Sequence, residues 1–399
     1  MAGLLGIGGL CVVYGVTQLA EEGYDSVTVV TTFSVAAGLC LAGGLVLPSA
    51  WFAYRRLRFP DREPIALRKN MPAWLPFVLV LFLIPPALVT GYWVIQYSSL
   101  EWLLLPVISL LVTGLPIWWL VTIGKRGLSA GSLQRQWGLF AGGLVLSPVI
   151  IIIFEMVALV GLILVASFVI ALDPDLVQAV AKLTSQLENP LSNADNWQEI
   201  LTPTIQHPVF LAGVYAYAAV LIPLIEEALK PLGLWLLAGR RLTPAEGFVG
   251  GVICGAAFAL FENLSALTSG GEEWAVIAGM RISTALLHML NTGVMGWALA
   301  NAWTKGRYLW LALSYACTVS LHGIWNFLGI AGFSLPQYNP GSVDPSAAGI
   351  LPGLIVIGLG LLTGVNFLIF LGINRRLRPK NEWQYGMFDK QIETPPSLD

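Results

Sequence analysis

Residues 137–172 read WGLFAGGLVLSPVIIIIFEMVALVGLILVASFVIAL, and Glu155 is the one formal charge among them. A helix crosses the hydrocarbon core of a bilayer with about 20 apolar residues, so this run exceeds one straight span. Pro148 predicts a bend or an extension beyond the bilayer. The run is far longer than a barrel strand and does not alternate, which excludes a β-barrel reading. The same pattern recurs outward along the chain. The apolar runs are 2–20, 27–54, 71–97, 102–123, 137–172, 209–238, 247–268, 275–303, 308–333 and 350–373. The expected fold is therefore all-α, a polytopic membrane protein of about ten transmembrane helices.

Composition agrees. Of 399 residues, 56% are hydrophobic and 11% charged, where a soluble domain is about one-quarter charged. A mean hydropathy of +0.74 excludes disorder. The 21 Lys+Arg nearly balance 23 Asp+Glu, which excludes a polybasic nucleic-acid binder. Eighteen of the 21 basic residues fall on one side when ten spans are threaded: six in loop 55–70, three in 124–136, then Arg240, Arg241, Lys305, Arg307 and the tail after 373. The other side holds Lys182 alone. By the positive-inside rule both termini are cytoplasmic. Cys11, Cys40, Cys254 and Cys317 lie inside spans at no metal or redox spacing and read as small apolar residues. The first 20 residues carry no Lys or Arg, which disfavours a cleaved signal peptide. Trp51, Trp102 and Trp303 sit near span ends as interfacial anchors.

Outside the spans, Leu176, Val177, Val180, Leu183 and Leu187 recur at near-helical spacing. They predict an amphipathic helix in the external segment 173–208, followed by a Pro/Asn-rich connection. Segment 334–349 reads as turn and coil, and the tail after Arg378 as disordered. No internal repeat is evident.

The chemical signal is the small set of ionisable groups within the runs. Each costs about 2.5–3.5 kcal/mol to insert, which makes it a functional candidate. They are Glu155, Glu226, Glu227, Lys230, Glu262 and Arg281, joined by His288 and His322. Counted from the cytoplasmic end, Glu227 lies about 17 Å deep, Glu262 and His288 about 22 Å, and His322 about 21 Å, so four helices bring polar groups to nearly one plane. Lys230 is i+4 from Glu226 and i+3 from Glu227 and can neutralise one of them. Pro231 leaves the Glu227 carbonyl without its helical donor, which predicts a kink. Phe258 shares a helix face with Glu262, Arg281 with His288, and His322 with Asn326. A carboxylate beside an imidazole in a dry cavity can act as general base on water, and imidazole with amide N–H suits an oxyanion. That points to hydrolysis of a peptide bond near or inside the bilayer. The same histidines and a carboxylate could hold a metal, but HExxH is absent, and the expectation is no metal and no cofactor. Glu155 reads more simply as a protonated glutamate bonded to a helix carbonyl, and His207 as a surface residue.

These segments resemble the PrsW-type glutamic intramembrane proteases, within the wider group that includes Rce1-type CAAX proteases. The matching text is Glu226-Glu227-x-x-Lys230, Phe258-x-x-x-Glu262-Asn263, Arg281 with His288, and His322-x-x-Trp325-Asn326, in order over about residues 209–330. The resemblance implies that Glu226 or Glu227 activates water, with His322 and Asn326 as oxyanion donors. It implies catalytic Glu262 and His288, with Lys230, Arg281 and Asn263 in support. Glu262 stands where the Rce1 branch has a histidine. The implied substrate is a membrane-anchored protein of the anti-sigma-factor kind, in the plasma membrane of a bacterium. The expected organisation is a scaffold 1–172, an external loop 173–208, a catalytic four-helix core 209–333, a loop and last span 334–373 and a cytoplasmic tail 374–399. Gly38, Gly43 and Gly44 suggest a docking face for a substrate helix. The rival readings are an ion- or proton-coupled transporter, with the same carboxylates as relays, and a non-catalytic membrane scaffold.

Overall fold

The computed structural model describes residues 1–21, 25–60, 72, 74–97, 99–187, 207–268, 271, 273–338 and 350–379. The Pro/Asn-rich connection, most of segment 334–349 and nearly all of the tail lie outside the described residues. The helices are α1 (Ala2–Leu19), α2 (Ser26–Arg58), α3 (Trp74–Tyr97), α4 (Glu101–Lys125), α5 (Leu133–Ala141) and α6 (Ser147–Ala171). They continue as α7 (Pro174–Leu187), α8 (Pro208–Tyr215), α9 (Ile222–Leu229), α10 (Leu232–Trp235) and α11 (Pro244–Ala266). The last three are α12 (Trp274–Lys305), α13 (Tyr308–Tyr338) and α14 (Ile350–Leu377). No strand occurs among the described residues.

Among the described residues, eight stretches are long and apolar enough to cross a membrane. Helices α12 and α13 have the length, at 32 and 31 residues, but their polar side chains dilute the apolar run. These are the two helices that carry His288 and His322. Gly306 closes α12 in the left-handed conformation at φ 66°, where its N–H reaches Ala302 O. The chain turns there directly into α13, setting the two helices side by side. The expected amphipathic helix is α7. Helix α13 runs to Tyr338, five residues into the segment read as coil. Its Pro336, near the helix end, removes one backbone bond without stopping the last turn.

The centre of the bundle is α11. Of its apolar window 83% is buried, against 44% or less in the other seven spans. Its sequence explains the position, because Gly247, Gly251 and Gly255 form a stripe at four-residue spacing. A Cβ on any of them would collide with the α12 backbone, at the carbonyls of Gly296, Thr292 and His288 respectively. The two helices thus touch backbone to backbone, and the contact at Gly255 sets the level of His288. Gly255→Leu is expected to lower thermal stability by more than the 1–3 kcal/mol of ordinary overpacking, because backbone must move. A melting curve in detergent tests this. Of Gly38, Gly43 and Gly44, read as a docking face, the first two meet Leu264 and Leu5 of neighbouring helices, while a Cβ on Gly44 would meet nothing within 4 Å. In sequence a small-residue face looks the same whether it meets a partner or its own chain.

Two helices bend by the same device. A π-helical turn, Gly142–Leu146, precedes Pro148, and a second, Ala216–Leu221, precedes Pro223. A helical proline lacks an N–H and clashes with the carbonyl four residues back, and the wider turn gives both room. Run 137–172 is therefore bent at Gly142–Leu146. Pro231 breaks the chain between α9 and α10, with ψ at 20°. Orphaned carbonyls find side-chain donors. Trp235 Nε1 donates to Ala228 O at 3.1 Å and Ser147 Oγ to Lys230 O at 3.3 Å.

Candidate active site

Helix α9 supplies Glu226, Glu227 and, at its C-cap, Lys230. The three are 4%, 0% and 0% exposed, so two carboxylates and an ammonium lie inside protein. Lys230 Nζ stands 2.6 Å from Glu226 Oε2 and 2.9 Å from Glu227 Oε1. It is also 2.7 Å from His288 Nδ1 of α12 and 4.8 Å from the centre of the Phe258 ring of α11. One cation thus ties three helices together. Burying such charges is tolerable only when they are paired, as here.

The pairing fixes the His288 tautomer. An ammonium has only donors, so Nδ1 must accept and the ring proton sits on Nε2. That Nε2 lies 2.5 Å from Glu262 Oε2. Arg281 Nη2 donates to the same oxygen at 2.9 Å, while Arg281 Nε donates to Asn263 Oδ1 at 2.8 Å. Asn263 Nδ2 returns a bond to Arg281 O at 3.3 Å. The result is a continuous chain, Lys230–His288–Glu262–Arg281–Asn263, running away from the two α9 glutamates.

His322 of α13 approaches from the other side. Its Nδ1 is 2.9 Å from Glu227 Oε1 and 3.8 Å from Glu226 Oε2. Since the carboxylate only accepts, Nδ1 carries a proton and donates to Glu227. The two imidazoles meet edge to face, with centroids 5.3 Å apart. Asn326, one turn along α13, donates from Nδ2 to Ala218 O at 2.8 Å. Ala218 belongs to the π turn above Glu226, so Asn326 braces the bend that aims α9. Tyr315 Oη reinforces it with a 2.7 Å bond to Leu224 O.

The structure therefore brings Glu226, Glu227, Lys230, Glu262, Asn263, Arg281, His288 and His322 together, with Asn326 at the edge on the backbone. It also adds one residue that sequence reading set aside. Glu155 lies on α6, which packs against α9, and its carboxyl interacts with that of Glu226. The Tyr217 hydroxyl donates to Glu155 O at 3.2 Å. No signal in the chain connects Glu155 to α9, because packing across 71 residues of sequence decides it.

A cleft of about 580 Å³ lies beside the cluster, between α12, α13 and the ends of their neighbours. Arg281, Asn326, Met280, Thr284 and Trp325 line it. Its α12 lining, Ile277 to Thr284, lies toward the end of that helix away from Lys305. Arg281→Gln would leave Glu262 with His288 alone. Loss of one charge-assisted hydrogen bond is worth about 1.5–3 kcal/mol, so activity is expected to fall at least about tenfold with the melting temperature little changed.

One donor set suits a metal in type. Glu226, Glu227, His288 and His322 each offer a ligand atom within 4.8 Å of the others. Carboxylate oxygen and imidazole nitrogen are ordinary zinc donors. Yet three of those four residues already face the Lys230 ammonium at 2.6–2.9 Å. A dication at that point and the ammonium exclude each other, so with Lys230 in place the residues do not fit a metal.

The model of the PrsW family intramembrane metalloprotease matches residues 136–343. That is just over half of the chain and includes every residue of the cluster. No curated protein and no solved structure matches. With this family match laid over a bundle of apolar helices that encloses buried carboxylates and imidazoles, the chain belongs to the PrsW family of intramembrane proteases and is a membrane peptidase.

Proposed function

We propose that the protein hydrolyses a peptide bond of a membrane-anchored protein by glutamate-activated water, with Glu226 as the base. The observation that carries the choice is the unequal treatment of the two glutamates. Glu227 is fully enclosed and is held by both Lys230 and His322. Glu226 keeps 6% side-chain exposure, holds Lys230 alone at short range and stands 3.8 Å from His322. A carboxylate with spare acceptor capacity is the one that can take a proton from water. The hydroxide then adds to the scissile carbonyl. The imidazolium form of His322 donates Nε2–H to the oxyanion, and Asn326 donates the N–H not bonded to Ala218. On collapse the C–N bond breaks, and the proton held by Glu226 passes to the leaving amine.

The substrate segment enters by the cleft at Arg281 and Asn326, on the non-cytoplasmic side of the membrane if the basic ends face the cytoplasm. The resemblance to anti-sigma-factor proteases suggests a single-span regulatory protein in a bacterial plasma membrane. A metal-dependent reading retains two supports, the four donors within 4.8 Å of one another and the description of the matching family as metalloproteases. The test is cleavage of single-span reporters by the protein in liposomes. Glu226→Gln and His322→Ala are expected to fail. Cleavage by Glu226→Gln at the wild-type rate would sink the proposal, and pH-driven solute uptake without cleavage would indicate a transporter.

A further inference from the structure

A second cleft, of about 600 Å³, lies between α2, α4, α5 and α11. It touches α11 through Ile253 and Leu260, on the face opposite Phe258 and the carboxylate cluster. Its walls are apolar, with Leu41, Leu111, Gly114, Trp118 and Trp137 among them. Its basic end is polar. There Lys125 Nζ donates to Gln136 Oε1 at 2.6 Å, and Gln136 Nε2 donates to Gly131 O at 3.0 Å. Among the described residues no carboxylate pairs with this half-buried ammonium.

We propose that this cleft binds one anionic phospholipid of the surrounding bilayer, with an acyl chain along α4 and the phosphate at Lys125. Three observations carry it. The apolar stretch of α4 from Leu110 to Val121 is roughly 16 Å long, which matches one leaflet of a core about 30 Å thick. Lys125, one turn further, then lies at headgroup depth. An ammonium without a carboxylate, backed by a neutral amide, is suited to phosphate, and basic pockets between spans recognise anionic headgroups in this way. The lining is too apolar for free phosphate.

The test uses the full-length protein, purified in a neutral detergent and stripped of lipid. Its melting temperature is followed while phosphatidylglycerol or phosphatidylcholine is added. The wild type is expected to respond to phosphatidylglycerol at lower concentration. Lys125→Gln removes the charge and is expected to weaken that response about tenfold, leaving phosphatidylcholine unaffected. A Cβ on Gly114 meets nothing within 4 Å, so Gly114→Leu has an open start into the cleft and is expected to abolish both responses. The proposal is overturned if Lys125→Gln responds like wild type. It is equally overturned if Gly114→Leu keeps both lipid responses yet loses cross-linking to a single-span substrate. Should Gly114→Leu fail to fold, the Lys125→Gln comparison decides alone.

Discussion

Glu226→Gln is expected to lower peptide-bond cleavage about a thousandfold while leaving the bundle folded. The exchange keeps the volume of the side chain and an oxygen for the Lys230 ammonium, which stands 2.6 Å away. What it removes is the ability to take a proton. A positioned general base contributes roughly 100- to 10,000-fold, and the two carboxylates nearest the histidines are already held. Glu227 is held by Lys230 and His322, and Glu262 by His288 and Arg281. Glu227→Gln should behave differently. It weakens a buried anion that organises two helices, so its loss of activity should be accompanied by a lower melting temperature. Rates and melting curves on the same preparations separate the two glutamates.

Lys230→Met is expected to be the most destabilising single change, at about 3–5 kcal/mol. The methionine fills nearly the same space, so the cost is not a cavity. It is the loss of the ammonium that touches Glu226, Glu227 and the His288 Nδ1 acceptor at once, all at most 4% exposed. Two carboxylates would be left facing each other in a medium that cannot solvate them. Chemical unfolding in detergent micelles measures the effect. A loss below about 1 kcal/mol would mean that the ammonium is not what holds α9 against α12.

Much of this was legible in the chain because membranes punish exceptions. A charged residue inside an apolar run is conspicuous, so Glu226, Glu227, Lys230, Glu262 and Arg281 could be picked out from residue type and position alone. Helical periodicity then aligned them with His288 and His322 at one depth. The break at Pro231 also followed from the missing N–H. Other features depend on which helices become neighbours. Glu155 reads as an isolated glutamate until α6 packs against α9. The π turns leave no residue signature beyond the prolines that follow them. The spacing of Gly247, Gly251 and Gly255 is visible, yet only the α12 carbonyls opposite show what it is for. Gly38 and Gly43 carry the same kind of signal and serve internal packing instead.

The most direct measurement is cleavage of a single-span substrate in liposomes by the wild type after treatment with a strong chelator, run beside untreated Glu226→Gln. On the proposed reading Glu226 supplies the base and the Lys230 ammonium, 2.6 Å from it, stands where a dication would compete. The expected result is cleavage retained after chelation and lost in Glu226→Gln. Loss of wild-type cleavage on chelation, restored by zinc, together with residual cleavage by Glu226→Gln, would contradict it.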